Sequence, residues 1–118
     1  MVDRSTHYWQ SKRAELNAAG FDPDTLLAAK AVITIASPYT NAHRCNNRVN
    51  RIAEMLVDEI GERGAQGFIV GAPAVSDAMT QGSRYAGYSL VSRDLIADCM
   101  EVGHFAHRGN AMLVISGC

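Results

Sequence analysis

Three residues that can bind metals each follow a short apolar run of the sequence: Cys45, Asp77 and Cys118. Cysteine thiolates bind iron and zinc, whereas aspartate carboxylates suit magnesium. If the three runs form parallel strands, these residues lie in loops at the carboxyl ends of the strands, where open α/β sheets bind their ligands. The pattern therefore predicts a ligand or metal site at one edge of a sheet.

Other interpretations of the same residues stay open at this point. The spacing of the three cysteines matches no zinc-finger or Cys-x-x-Cys pattern, so spacing alone does not define a metal site. Cys99 lies on the apolar stripe of a predicted helix beside Met100, which favours a buried core thiol. Asp77 alone also suits a turn or a helix cap.

The histidines offer a second possible cluster. His104 and His107 are three residues apart on a predicted helix, where they could chelate a metal together with Glu101. They also fall in the last turns of that helix, where histidines interact favourably with the helix dipole, and we favour this structural interpretation. His43 could tune the Cys45 thiolate or could simply be solvated. No Gly-x-Gly-x-x-Gly or Walker motif indicates a nucleotide site.

Periodicity predicts the elements that position these residues. The predicted strands are Ala31 to Ala36, Gly67 to Gly71 and Ala111 to Ser116, the first of them buried on both faces. Two short helices are predicted first, one from Ser11 to Ala19 and one ending at Ala28. Two amphipathic helices follow. The apolar face of the first consists of Val49, Ile52, Leu56 and Ile60, and that of the second consists of Val91, Leu95, Cys99, Val102 and Ala106. A long polar segment, Ala74 to Tyr88, precedes the last helix. This order predicts an α/β fold with a mostly parallel sheet and flanking helices.

Length and composition set limits on the class of protein. The 118 residues suit one small domain, and a composition of 47% hydrophobic and 19% charged residues indicates a packed core. A net charge of −1 gives no basic field for nucleic acid or for an anionic membrane. The sequence contains neither an apolar stretch of spanning length nor the apolar core of a signal peptide, so we expect a cytoplasmic protein without structural disulfides.

Longer motifs carry a resemblance to a known family. Val75-Ser76-Asp77, then Gly82, then the run Tyr88-Ser89-Leu90-Val91-Ser92-Arg93-Asp94-Leu95-Ile96-Ala97-Asp98 together resemble the dihydroxy-acid dehydratase and 6-phosphogluconate dehydratase family. Cys45-Asn46 is similar to the Pro-Cys-Asn cluster loop of that family, and Cys118 is similar to the first residue of its Cys-Asp-Lys motif. The resemblance runs from about Ala31 to the last residue, with the pieces in the family's order.

This resemblance implies a hydro-lyase that dehydrates a 2,3-dihydroxy carboxylic acid to a 2-oxo acid. Cys45 and Cys118 would be two of three thiolates around an iron-sulfur cluster, 2Fe-2S or 4Fe-4S, whose open iron acts as a Lewis acid toward the 3-hydroxyl. Asp77 would help to hold Mg²⁺, which orients the carboxylate and the 2-hydroxyl. A base removes the C2 proton, hydroxide leaves from C3, and the enol relaxes to the product.

The resemblance also implies that residues 1–118 are the N-terminal part of a larger dehydratase domain. We expect a single incomplete α/β domain, with residues 1–30 as a helical arm and residues 31–118 as the cluster-binding segment. The third cluster cysteine, and the C-terminal portion of the family that bears the proposed serine base, are not among residues 1–118, so the site residues here include no catalytic base and we expect the chain alone to be inactive. The full-length protein would be a homodimer or larger, acting on branched-chain precursors or sugar acids.

Some positions depart from the family's pattern. Ala78 stands where a glycine usually follows the aspartate, Arg84 stands where the family is often acidic, and Arg44 replaces the proline before the cysteine. Arg84 would repel a nearby divalent cation. Ser92 and Arg93 are expected to cap and anchor the long helix. The alternative function is a stand-alone, non-catalytic α/β interaction module, and a bare apolar strand edge around Ala111 to Ser116 would favour the dehydratase segment instead.

Overall fold

A computed structural model describes residues 6–117. The helices are α1 (His7–Ala18), α2 (Pro23–Ala28), α3 (Val49–Glu62), α4 (Asp77–Thr80) and α5 (Tyr88–Ala106), and the strands are β1 (Val32–Pro38), β2 (Gln66–Ala72) and β3 (Ala111–Val114). All strand pairs are parallel, which confirms the predicted α/β class. Among the described residues, no helix combines the length and the hydropathy needed to cross a bilayer.

The sheet has the order β2-β1-β3, so the first strand of the chain is its centre. Ile35 of β1 is opposite Ile69 of β2 on one side and Leu113 of β3 on the other. β1 is buried from Thr34 onward, as its continuous run of apolar and β-branched residues predicts. β3 lies at an edge, where its last residue, Val114, is 52% exposed.

Helix α3 packs on the sheet through the face that its periodicity predicts, except at one position. Val49 and Ala53 are buried, whereas Ile52 is 44% exposed. Gly67 allows β2 and α3 to approach each other closely, because a Cβ at Gly67 would lie 3.1 Å from the Cα of Val57. The chain leaves α3 through Gly64, whose φ of +76° favours glycine.

The predicted buried face of α5 is wrong. Val91 and Val102 are 64% and 69% exposed, and Cys99, expected in the core, is half-buried. The helix instead approaches the sheet through small residues: Ser92 is buried, and Gly103 lies directly against Val70 of β2. Periodicity identifies the face with the largest apolar side chains, whereas the close contact between α5 and the sheet is made by small residues.

Among the described residues, 6–30 and 31–117 form two separate compact units. In the first unit, Asp22 caps α2 by accepting hydrogen bonds from the backbone N–H groups of Asp24 and Thr25. The Thr25 hydroxyl donates to the same carboxylate, and this bond, with the two backbone bonds, holds the pKa of Asp22 below its ordinary value. Gly20, with a φ of +86°, lies in the turn between α1 and α2.

A buried polar contact joins α5 to the central strand. Thr34 is 1% exposed, and its Oγ1 lies 2.7 Å from Nδ1 of His104. We expect Thr34→Val to lower the free energy of unfolding by about 1–3 kcal/mol, because the substitution leaves the imidazole nitrogen without its partner. Urea unfolding measures this loss. Thr34→Ser keeps the hydroxyl and is the control; a Thr34→Val protein as stable as Thr34→Ser would contradict a stabilising role for the hydrogen bond.

Candidate ligand site at the carboxyl ends of the strands

A pocket of about 550 Å³ lies at the carboxyl ends of the parallel strands. Its walls come from the segment after β2, the end of β3 with the residues that follow it, and one side of α5. This volume is within the range of small-molecule sites. The lining residues are Pro38, Asn46, residues 74–78, Ser89, Ser92, Arg93, Ile96, Met100 and residues 114–117. The pocket therefore lies at the edge where the sequence predicts a ligand site.

Asp77 lies in the wall of this pocket, as the first residue of α4. The helix cap is the neighbouring Ser76, whose Oγ accepts a hydrogen bond from the N–H of Ala78 at 3.3 Å. The suggestion that Asp77 itself is the cap is therefore wrong. Within residues 6–117, no hydrogen bond or ion pair engages its carboxylate. The carboxylate is thus available to a ligand or a cation.

Cys45 is exposed in the turn that leads from β1 to α3. The next residue, Asn46, is only 2% exposed, and its Nδ2 donates a hydrogen bond of 2.6 Å to the carbonyl of Pro38. Asn46 also accepts a backbone hydrogen bond from Val49 at the start of α3. Asn46, rather than Cys45, lines the pocket, and its side chain fixes the turn that presents the thiol.

The segment after β3 meets this turn at Gly117. A Cβ on Gly117 would overlap Oδ1 of Asn46 and would lie 2.7 Å from its Nδ2. The backbone that leads to Cys118 therefore passes directly against the residue that follows Cys45. Cys118 itself lies outside the described residues, so the structure does not place its thiol.

We expect Gly117→Ala to be destabilising. The added methyl group would displace the Asn46 amide and break its hydrogen bond to Pro38, at a cost of about 1–3 kcal/mol in the free energy of unfolding. The matched control is Gly71→Ala at the end of β2, where an added Cβ meets no atom within 4 Å. Thermal unfolding compares the two variants. A Gly117→Ala protein as stable as Gly71→Ala would contradict this account of the contact.

His43 lies two residues before Cys45, and the structure does not bear out its description as simply solvated. Both of its ring nitrogens are buried, and neither has a hydrogen-bond partner among the described residues. Buried polar nitrogens are normally paired, so such a group requires an explanation. The sequence contained only a weak signal for it, the proximity of a histidine to a cysteine in a polar loop.

Ser92 and Arg93 lie in the pocket wall, which sequence reasoning did not foresee. The helix begins at Tyr88, and its N-cap is Gly87, so Ser92 is inside α5 and the prediction that it caps the helix is wrong. Its hydroxyl donates to the carbonyl of Ser89. The helix extends one turn further than predicted because the run from Tyr88 to Val91 contains no strong helix breaker. That extra turn brings Ser89 into the wall as well.

The other candidate residues lie elsewhere. The Arg84 guanidinium stacks on Tyr85, 4.7 Å from the ring centroid, and Arg84 is not among the described residues that line the pocket. His104 bonds to Thr34, and the ring centroid of His107 is 5.4 Å from that of Phe68. Within residues 6–117, no three histidine, cysteine or acidic side chains are grouped closely enough to hold a metal ion.

A parallel sheet with a pocket at its carboxyl ends, partly built from the N-terminal half of a long helix, is the arrangement typical of ligand-binding α/β proteins. Comparison with known proteins makes the class specific. Residues 30–118 match the family model for the N-terminal region of dihydroxy-acid/6-phosphogluconate dehydratases. The chain belongs to this family, as its motifs predict.

Several curated relatives are named dihydroxy-acid dehydratase. The protein from Tremblaya princeps is 34% identical over 106 residues, which is 90% of this chain and 19% of the relative. The protein from Prochlorococcus marinus (strain MIT 9515) is 35% identical over the same share of each chain. The protein from Polaromonas naphthalenivorans (strain CJ2) is 34% identical over 89 residues, 75% of this chain and 16% of the relative. The chain thus spans less than a fifth of these relatives.

Proposed function

We propose that the protein carrying this chain is a hydro-lyase that dehydrates a 2,3-dihydroxy carboxylic acid to a 2-oxo acid, with an iron-sulfur cluster as Lewis acid. The family match over residues 30–118 is the observation that carries the proposal. The geometry supports it, because Asn46 next to Cys45, Asp77 and the segment leading to Cys118 all line one pocket. In this proposal the chain is the N-terminal part of a larger domain, a reading that the exposed edge strand β3 supports.

The described residues fit a cluster site in two respects. Cys45 is exposed in a turn whose following residue is locked in place, so its thiolate can be presented without rearrangement of the backbone. The ring nitrogens of His43, two residues before Cys45, are buried and have no hydrogen-bond partner within residues 6–117. This supports a hydrogen-bonding partner for His43 that residues 6–117 do not supply. We propose that Cys45 and Cys118 hold the cluster, which supplies an electrophilic iron for the departing 3-hydroxyl.

Asp77 fits a site for Mg²⁺. Its carboxylate is in the pocket wall without a partner in the described part of the chain, and hard oxygen ligands are what this ion prefers. The remaining walls include the apolar side chains of Val75, Ile96, Met100 and Ile115, which exclude water from one side of a bound acid. These residues bind and orient a substrate, and in this proposal the base that removes the C2 proton comes from outside the chain.

The experiment is to express the full-length gene and to purify the protein without oxygen. We expect visible absorption from an iron-sulfur cluster, stoichiometric iron and sulfide, and formation of 2-oxo acid from branched-chain 2,3-dihydroxy acids or from sugar acids. The size of the purified protein tests the expected homodimer or larger assembly, and fractionation of the source cells tests the cytoplasmic location. Absence of both iron and turnover would refute the proposal.

A second candidate is a non-catalytic interaction module that kept the family's shape. The outer face of α5 favours it, because Leu95, Val102 and Phe105 are all more than half exposed and present an apolar surface to a possible partner. If the natural gene product ends at Cys118 and contains no iron, this alternative replaces the dehydratase proposal.

A further inference from the structure

Arg93 is a solvent-exposed residue of α5. It lies in the wall of the 550 Å³ pocket, where it is the one cationic residue and Asp77 the one anionic residue among the described lining residues. Within residues 6–117, no hydrogen bond or ion pair engages the Arg93 side chain. Neither helical neighbour four residues away, Ser89 or Ala97, is acidic, so Arg93 has no i,i+4 ion pair that would stabilise α5.

The serines on the same side of α5 complement this charge. Oγ of Ser89 donates to the carbonyl of Ala86 at 3.0 Å, and Oγ of Ser92 donates to the carbonyl of Ser89 at 3.2 Å. Because both hydroxyl protons are engaged within the helix, the oxygens are left with lone pairs that accept hydrogen bonds. The wall thus combines one strong donor of paired N–H groups with hydroxyl oxygens that accept, an arrangement that suits a small organic acid bearing hydroxyl groups.

We propose that Arg93 is the carboxylate anchor of this pocket and that it selects hydroxy acids over their uncharged analogues. A guanidinium binds a carboxylate through two parallel N–H···O bonds, which gives direction as well as charge. The inference rests on the proposed function for the identity of the substrate, but the carboxylate subsite is defined by the pocket alone.

The test uses lactate and lactamide as probes with the full-length protein, at one fixed Mg²⁺ concentration. Lactate carries the carboxylate and the 2-hydroxyl but has no 3-hydroxyl to lose, so binding is measured without turnover. By calorimetry or ligand-observed NMR, we expect lactate to bind at least about tenfold more tightly than lactamide. Arg93→Gln should abolish this preference and leave lactamide affinity unchanged, whereas Arg93→Lys should retain part of it. Arg51→Gln, on α3 and outside the pocket, is the matched control.

The outcomes separate this inference from the proposed function. A wild-type protein that does not prefer lactate, or an Arg93→Gln variant that keeps the preference, overturns the anchor even if the enzyme dehydrates dihydroxy acids. If the protein has neither cluster nor turnover but still prefers lactate to lactamide, and the preference depends on Arg93, the result supports the anchor and refutes the dehydratase. In an active enzyme, Arg93→Gln should raise KM more than it lowers kcat, because the anchor binds ground state and transition state alike.

Discussion

Replacement of Cys45 by alanine in the full-length protein is expected to remove the iron-sulfur absorption and to lower dehydratase activity at least about 100-fold. Mutation of a residue that only hydrogen-bonds to a metal ligand already lowers metal affinity or activity by about 10–100-fold, and loss of the ligand itself should lower it further. Cys45 is exposed, but the adjacent Asn46 is buried and bonded to Pro38, so the turn keeps its shape without the thiol. The variant should therefore remain folded while it loses iron.

Cys99→Ala is the matched control for this experiment. Cys99 is half-buried on α5 and is not among the described lining residues of the pocket, so the variant should keep its iron and its activity. Iron and sulfide analysis after anaerobic purification measures both variants, and circular dichroism checks that each is folded. Full iron content in Cys45→Ala would refute its role as a cluster ligand, whichever way the activity changes.

A large loss of stability is expected from a side chain added at Gly103. A Cβ at this position would overlap Cγ1 of Val70 and would lie 3.0 Å from its Cγ2. Val70 is 8% exposed and β-branched, so its side chain cannot rotate away easily. We expect Gly103→Ala to lower the free energy of unfolding by about 1–3 kcal/mol, with Gly103→Leu worse, because α5 must move away from β2.

Gly61→Ala provides a control of opposite sign. Gly61 also lies inside a helix, α3, but an added Cβ there meets no atom within 4 Å. In that open position alanine should stabilise the protein by about 0.5–1 kcal/mol, since it favours helix more than glycine does. Urea unfolding of the two variants separates helix propensity from packing. If both alanine variants are stabilised, the close contact between α5 and β2 is absent in solution.

Most of the fold could be predicted because its signals are local. β1 shows the β-branched run of a buried central strand, and α3 shows a clear helical period that ends shortly before Gly64. The buried face of α5 could not be predicted, because its contact with the sheet depends on Gly103 and Ser92, which carry little hydrophobic signal. The side that faces the sheet was decided by shape complementarity between distant parts of the chain.

The candidate site divides in the same way. The position of Asp77 in the pocket follows from its place after a strand, a rule that local sequence is enough to apply. Arg93 and the contact between Asn46 and Gly117 could not be foreseen, because both depend on where separate segments meet in three dimensions. The hydrophobic period of α5 does not show which of its polar residues face the carboxyl ends of the strands.

The central position of β1 has a consequence for the order of events during synthesis of the chain. β1, α3 and β2 are consecutive, so they can pair as soon as residue 72 has left the ribosome, whereas β3 can reach the other side of β1 only after α5 is complete. Gly117 follows β3 and arrives against an Asn46 turn that is already in place. In the proposed cluster site, the turn that carries Cys45 thus forms before the segment that carries Cys118, and the nascent Cys45 thiol is open to oxidation in the interval.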